Sequence, residues 1–237
     1  MSALLDSLFP PRCAACGGSG WPLCLGCARR VGVITPPWCR RCGRPTEEPV
    51  ARCADCPPGA VNSVRAPFLY RGPVARAVKG MKFSGWHALG PLFAGAIAAM
   101  SGHAGDVVTW VPLSRRRMAR RGFDQAEVLA RAVAPLLGLP IRGLLNRARD
   151  VPAQARRSGR DRRTALAGAF TPAGSSPRRV LLVDDVVTTG STAAACAAVL
   201  RAAGARWVGV LAVARSVGGP VPARCFGPGA ADRGRVP

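Results

Sequence analysis

Residues 180–192 read VLLVDDVVTTGST, and no other stretch constrains the fold as tightly. Residues 180–183 form an unbroken apolar run, the pattern of a strand buried on both faces of a parallel sheet. Asp184 and Asp185 follow at the carboxyl end of that strand, where open α/β sheets place their ligands. Thr188, Thr189, Gly190, Ser191 and Thr192 then supply backbone N–H groups, hydroxyls and one conformationally permissive glycine. Residues 193–203 are rich in helix formers, so the loop feeds a helix N-terminus, a setting that favours phosphate. The unit is strand, loop, helix, and the fold class it specifies is α/β. Adjacent carboxylates repel, and a turn that only redirects the chain has no use for two of them. No Gly-Lys-Ser/Thr follows the strand, which argues against a Walker-type phosphate loop.

Eight of the ten cysteines precede residue 57. They form four Cys-x-x-Cys pairs, and two such pairs fit one tetrahedral zinc, so the segment predicts two ions. Pairing in sequence order gives Cys13, Cys16, Cys24 and Cys27 to one ion and Cys39, Cys42, Cys53 and Cys56 to the other; an interleaved pairing satisfies the spacing equally. Gly17 and Gly43 directly follow their pairs, where a knuckle turns tightly. No ligand position stays open, so the zinc reads as structural rather than catalytic. Trp21, Leu23, Leu25, Val31 and Trp38 are most of the large apolar residues available, so metal supplies the folding energy of this segment. Disulfides are the alternative. Residues 1–11 lack the pattern of a secretory signal, and the most apolar long stretch, residues 89–100, is too short to span a bilayer. The expectation is a cytoplasmic chain without membrane insertion, a compartment in which paired cysteines bind metal.

The rest of the chain divides by composition into a zinc module over residues 1–57, an α/β domain over 58–215 and a Gly/Pro-rich tail over 216–237 expected to be disordered. Residues 61–70 read as a strand or hairpin arm, 107–111 and 208–213 as buried strands, and 73–83, 89–100 and 126–137 as helices. Arg115, Arg116, Arg117, Arg120 and Arg121 crowd a segment that reads as a loop beyond a strand. Their repulsion is relieved if they face a diphosphate or a nucleic-acid backbone. Residues 142–163, with eight arginines and little apolar material, read as a mobile loop. The formal charge is +22, carried by 32 Arg and two Lys, a skew that a GC-rich genome produces. Each four-thiolate zinc site carries a net charge of about −2, so two of them leave an excess of about +18 that attracts polyanions.

The 180–192 segment resembles the phosphoribosyl-pyrophosphate (PRPP) loop of type I phosphoribosyltransferases. That resemblance implies that Asp184 and Asp185 hold the ribose hydroxyls and that Thr188, Thr189, Gly190, Ser191 and Thr192 cradle the 5′-phosphate. LFPPRCAACG, the four cysteine pairs, YRGPVARAVKGMKFSG and VPLSRRRMARRGFDQAEVLA extend the likeness to the ComF family over residues 4–215. It implies a type I phosphoribosyltransferase-like parallel sheet flanked by helices, with a small N-terminal double zinc ribbon. It further implies PRPP with Mg²⁺ as ligand, with Arg115 and Arg116 on the pyrophosphate and Arg120 and Arg121 assisting its departure. Arg147, Arg149, Gln154 and Arg162 are the candidates for a loop that closes over PRPP. Two positions depart from the family pattern: Asp124 stands where Asn is usual, and Ala165 where Asn is often found. The resemblance also brings competence, DNA uptake, single-stranded DNA and the proteins of the competence machinery into view. Three readings follow: a phosphoribosyltransferase with an unidentified acceptor, a single-stranded DNA-handling protein with PRPP as regulatory ligand and no turnover, or a PRPP sensor.

Overall fold

The structure is a computed structural model that describes residues 12–54, 56, 59–83, 89–102, 105–148, 166 and 168–226. In chain order the elements are α1 (Leu25–Ala28), β1 (Ser63–Arg65), β2 (Phe68–Leu69), α2 (Gly72–Phe83), α3 (Leu89–Ala99), β3 (Val107–Trp110), α4 (Arg115–Arg121), α5 (Gln125–Leu136), β4 (Leu145–Arg147), β5 (Phe170–Pro172), β6 (Arg179–Val187), α6 (Ser191–Ala202) and β7 (Trp207–Arg215). β6 is the centre of a parallel sheet, with β3 on one side and β7 on the other. β1 and β2 lie end to end along the far edge of β7, both parallel to it. Residues 61–70 therefore form two short edge strands interrupted at Pro67, not a hairpin arm.

Alternation along β6 divides the core into two layers. Val180 and Leu182 pack with Cys196, Ala197 and Leu200 of α6. Leu181 and Val183 pack on the other face with Val78, Met81, Ile97, Leu129 and Val133 from α2, α3 and α5. Both faces are covered, which is why the strand reads as a continuous apolar run. β4 and β5 make a separate antiparallel pair on the α6 side. Among the described residues no helix is long and apolar enough to cross a membrane.

Asp124 sets the start of α5. One carboxylate oxygen accepts from Ala126 N at 2.9 Å and Glu127 N at 3.4 Å, and the other accepts from Leu113 N at 2.7 Å. The carboxylate thus caps the helix and ties down the segment that leaves β3. Burial pushes its pKa above the ordinary value, against the lowering by those three amides. Asp124→Asn keeps an oxygen for the helix cap but turns an NH₂ toward Leu113 N in place of an acceptor, and is expected to cost about 1 kcal/mol. Asp124→Ala is expected to cost about 1–3 kcal/mol, measured by denaturant unfolding, because it orphans amide donors. Equal losses in both variants would show that the capping oxygen is not what matters.

The N-terminal module covers the sheet edge made by β1 and β2. Val64 N donates to Arg41 O at 2.7 Å, Leu69 N to Gly32 O at 2.9 Å and Ile34 N to Pro67 O at 2.7 Å. Gly43 has φ +68°, and a Cβ there would lie 2.3 Å from Val64 O, so only glycine permits this approach. The chain beyond β7 returns to the same place. Val221 and Cys225 are buried against Ile34 and Leu69, and Val33 N donates to Cys225 O at 2.9 Å. The described part of the 216–237 segment, up to Phe226, is therefore packed, contrary to the disorder expected from its Gly/Pro content. A few spaced apolar residues suffice because the module and the sheet edge already supply a groove.

Candidate functional site

The eight cysteines gather into two quartets, Cys13, Cys16, Cys24 and Cys27, and Cys39, Cys42, Cys53 and Cys56, with all four sulfurs of each within 4.8 Å of one another. The sequential pairing holds, and the interleaved one does not. Sulfur separations of 3.7 Å (Cys16–Cys24), 3.8 Å (Cys39–Cys56) and 3.5 Å (Cys42–Cys53) match a tetrahedral site. Zn–S bonds of about 2.3 Å place sulfurs about 3.8 Å apart. None of the cysteines is in a disulfide. The titration of the sulfurs also fits a cation. Against the cost of burial, backbone N–H groups of Cys24, Ala15 and Cys16 bring Cys13 down to about 6. Burial and the sulfurs beside it push Cys27 up to about 12. Cys39 likewise falls to about 6, while burial and the Cys42 sulfur push Cys53 up to about 12. Each quartet thus holds one sulfur that ionises readily and at least one that resists; a divalent ion removes that conflict. Both quartets are four-thiolate zinc-binding sites with no position open to a substrate, and the zinc is structural.

A cleft of about 300 Å³ opens at the carboxyl end of β6. Asp184 and Asp185 form its floor at the strand end, and residues 188–193, Arg117, Arg121, Gln125, Arg147 and Leu166 complete the lining. β6 runs two residues beyond the carboxylates, because Val186 and Val187 continue the ladder with Ala214 and Arg215. The two aspartates thus sit inside the strand rather than after it, and their side chains take opposite faces. Asp184 follows Leu182 toward α6, where burial first and Asp184 second push the Cys196 thiol well above its ordinary value, and Arg147 opposes them. Asp185, 5% exposed, follows Val183 toward α5 and accepts from Gln125 Nε2 at 3.1 Å. Gln125 Oε1 in turn accepts from Arg121 Nη1 at 2.9 Å, so a buried relay joins guanidinium, amide and carboxylate.

The hydroxyl-rich loop begins at Thr188 and turns at Gly190, whose φ of 75° places it in the left-handed region. Gly190 caps α6 without a side chain, so the first amides of that helix face the cleft with no intrahelical acceptor. Thr189 Oγ1 and Ser191 Oγ are 2.8 Å apart and brace the turn. Three cations stand over two anions in this space. Burial and the neighbouring Arg117 lower the pKa of Arg121, and Asp185 raises it. A polyanion entering the cleft relieves the arginine repulsion and meets helix-terminal amides.

The arginine segment differs from its sequence reading. It is the helix α4, ended by Gly122 at φ 77°, not a loop. Arg117 and Arg121, one turn apart, face the cleft, whereas Arg115, Arg116 and Arg120 are exposed and do not line it. The pyrophosphate roles expected of Arg115, Arg116 and Arg120 therefore lack support from their positions. Sequence reasoning named Arg117 only as one of five crowded arginines and did not single out Gln125 at all. Their i, i+4 relation to Arg121 is the signal, and it appears only once the segment is taken as helical. Arg147 stacks its guanidinium 4.9 Å from the centre of the Phe170 ring. Arg149, Gln154, Arg162 and Ala165 lie outside the described residues.

Comparison with known proteins extends beyond the site. The double zinc ribbon domain family matches residues 4–57. Competence protein F of Haemophilus influenzae is 29% identical over 229 residues, covering 89% of this chain and 99% of that protein. DNA utilization protein YhgH of Salmonella typhimurium is 32% identical over 212 residues, covering 84% of this chain and 92% of that protein. Among solved structures, a glutamine phosphoribosylpyrophosphate amidotransferase from B. subtilis is 26% identical with a TM-score of 0.38, over 52% of this chain and 26% of that one. Similarity at 32% identity over 84% of the chain, together with the near-full-length match to competence protein F, shows that the chain belongs to the ComF family.

Proposed function

We propose that the cleft binds PRPP with Mg²⁺ and that the chain acts as a ComF-type PRPP-binding protein competent for phosphoribosyl transfer. The observation that carries this reading is the three-part lining of one cleft: a carboxylate pair, a hydroxyl-lined helix N-terminus and a guanidinium pair. Each part suits one part of the ligand. Residues 188–192 suit the 5′-phosphate, the Asp184 and Asp185 carboxylates suit ribose hydroxyls, and Arg117 and Arg121 suit pyrophosphate oxygens. The carboxylates are also hard oxygen donors of the kind Mg²⁺ requires. Transfer is displacement at the anomeric carbon: an acceptor forms the new bond as the carbon–oxygen bond to pyrophosphate breaks. Pyrophosphate leaves with the electron pair, and the arginines stabilise the charge that develops on it.

Gln125 is a positioning residue in this account, since it holds Asp185 and Arg121 in one line. Gln125→Leu is expected to weaken PRPP binding about tenfold, the scale of one lost hydrogen bond to a charged group, with the Mg²⁺ dependence retained. Calorimetry with PRPP and Mg²⁺ checks this, and unchanged affinity removes the positioning role.

A second reading rests on a different surface. Arg115, Arg116 and Arg120 are exposed beside the cleft, and relatives carry the names competence protein and DNA utilization protein. That combination favours single-stranded DNA as a partner, with PRPP as a regulatory ligand in a cytoplasmic protein of DNA uptake. Salt separates the two. Binding to single strands should fall steeply between about 50 and 200 mM salt, because each neutralised phosphate contributes a slope of about −0.7. PRPP held by directed hydrogen bonds in a cleft should weaken far less. Titration with PRPP and with a single-stranded oligonucleotide at both concentrations tests each. If PRPP produces no heat at either, the cleft reading fails.

A further inference from the structure

Arg215 ends β7 and is 6% exposed. A guanidinium at that depth is costly unless opposite charge and acceptors surround it. Its Nε and Nη1 have no hydrogen-bond partner among the described residues. What attracts it is sulfur: Cys42, Cys53 and Cys56 pull on its charge, and Arg44 opposes them. The backbone around it is held on both sides. Arg215 pairs with Leu69 of β2 and Val187 of β6, and its carbonyl accepts from Tyr70 N at 2.8 Å. Ser216 N donates to Val187 O at 2.9 Å, and Arg44 Nη2 reaches Gly218 O at 2.8 Å, so the chain leaving β7 stays on the second ribbon.

Neutral thiols are weak acceptors and cannot balance this charge. With zinc all four sulfurs are thiolates, and the site carries a net charge of about −2. Both unbalanced charges lie in one buried place, and each answers the other. We infer that Arg215 is the counter-charge of the second zinc site, joining its thiolates to the end of β7. Arg65 also lies near Cys39 and Cys42, but its Nη1 is bonded to Val64 O at 2.8 Å; among the described residues the first site has Arg30 Nη2 at 3.6 Å from Cys27 Sγ. The consequence is positional. Arg215 pairs with Val187, the residue before Thr188, and Cys42 shares a small cavity with Gly190 and Ala193. Zinc at the second site therefore fixes the base of the hydroxyl loop; zinc at the first site has no such link among the described residues.

The test is zinc release from the full chain to a chromogenic chelator, for wild type, Arg215→Met and Arg215→Lys. Arg215→Met is expected to release one of its two zincs about 10- to 100-fold faster than wild type, and the other at the wild-type rate. Arg215→Lys keeps the charge and should fall between the two. The assignment is overturned if Arg215→Met releases both ions at the wild-type rate, or if the Lys variant is as fast as the Met variant. Should neither variant fold, hydrogen exchange on wild type decides. The Tyr70 and Ser216 amides should lose protection as the second site is emptied, and full protection after both zincs are gone overturns the proposal.

Discussion

Asp184→Asn combined with Asp185→Asn is expected to lower affinity for PRPP with Mg²⁺ by at least about 100-fold and to leave the fold intact. The magnitude follows from the chemistry of the floor. A hydrogen bond to a charged group contributes about 1.5–3 kcal/mol, so two lost acceptors amount to about 3–6 kcal/mol, or about 10²- to 10⁴-fold. The fold survives because asparagine is isosteric with aspartate and the substitution removes a repulsive pair. The contact from Gln125 Nε2 to residue 185 can persist through an amide oxygen, and the residue 185 amide still has an oxygen on residue 184 to meet, now held at 2.8 Å. Calorimetry gives the affinity and thermal unfolding the stability. Unchanged affinity would remove the carboxylates from the ribose role, and lost affinity with a collapsed fold would make them structural.

Stripping zinc is expected to unfold the N-terminal module and to leave the sheet prone to aggregate. Outside the sulfurs, the apolar material around the two quartets is Ala15 and Leu23 in one and Val50 in the other. That is far too little to offset chain entropy, which runs at about 1–2 kcal/mol per ordered backbone residue. A structural zinc contributes an apparent 10–16 kcal/mol, about as much as the whole stability of a typical domain. The damage spreads because Arg41 O and Gly32 O are acceptors for β1 and β2, and losing them exposes strand edges. Hydrogen exchange after treatment with a strong chelator should show residues 12–54 unprotected and light scattering rising with time. Protection that persists once metal analysis reads zero zinc would mean that packing, not metal, holds the module.

The parts that sequence conveyed were those in which one residue pattern has one physical solution. An apolar run followed by carboxylates and a hydroxyl loop admits little besides a buried parallel strand at a ligand site, and β6 with the cleft above it is the result. Four Cys-x-x-Cys pairs admit two metal sites, but the choice between sequential and interleaved quartets needed the backbone path. The arginine helix was hidden for a specific reason. Mutual repulsion argued for an extended loop, while arginine, methionine and alanine are good helix formers and Ser114 and Gly122 bound the segment. Read as a loop, the segment gives no reason to prefer Arg117 over Arg120 as the neighbour of Arg121; helical spacing does. The packing of Val221 and Cys225 was beyond sequence because their partners, Ile34 and Leu69, are far off in the chain, and the groove exists only after the module docks.

The most direct measurement is a crystal structure of the chain with PRPP and Mg²⁺ bound. The account predicts the 5′-phosphate against residues 188–192, the ribose over Asp184 and Asp185, and the pyrophosphate between Arg117 and Arg121. Ligand density elsewhere on the surface, with this cleft left to water, would contradict it.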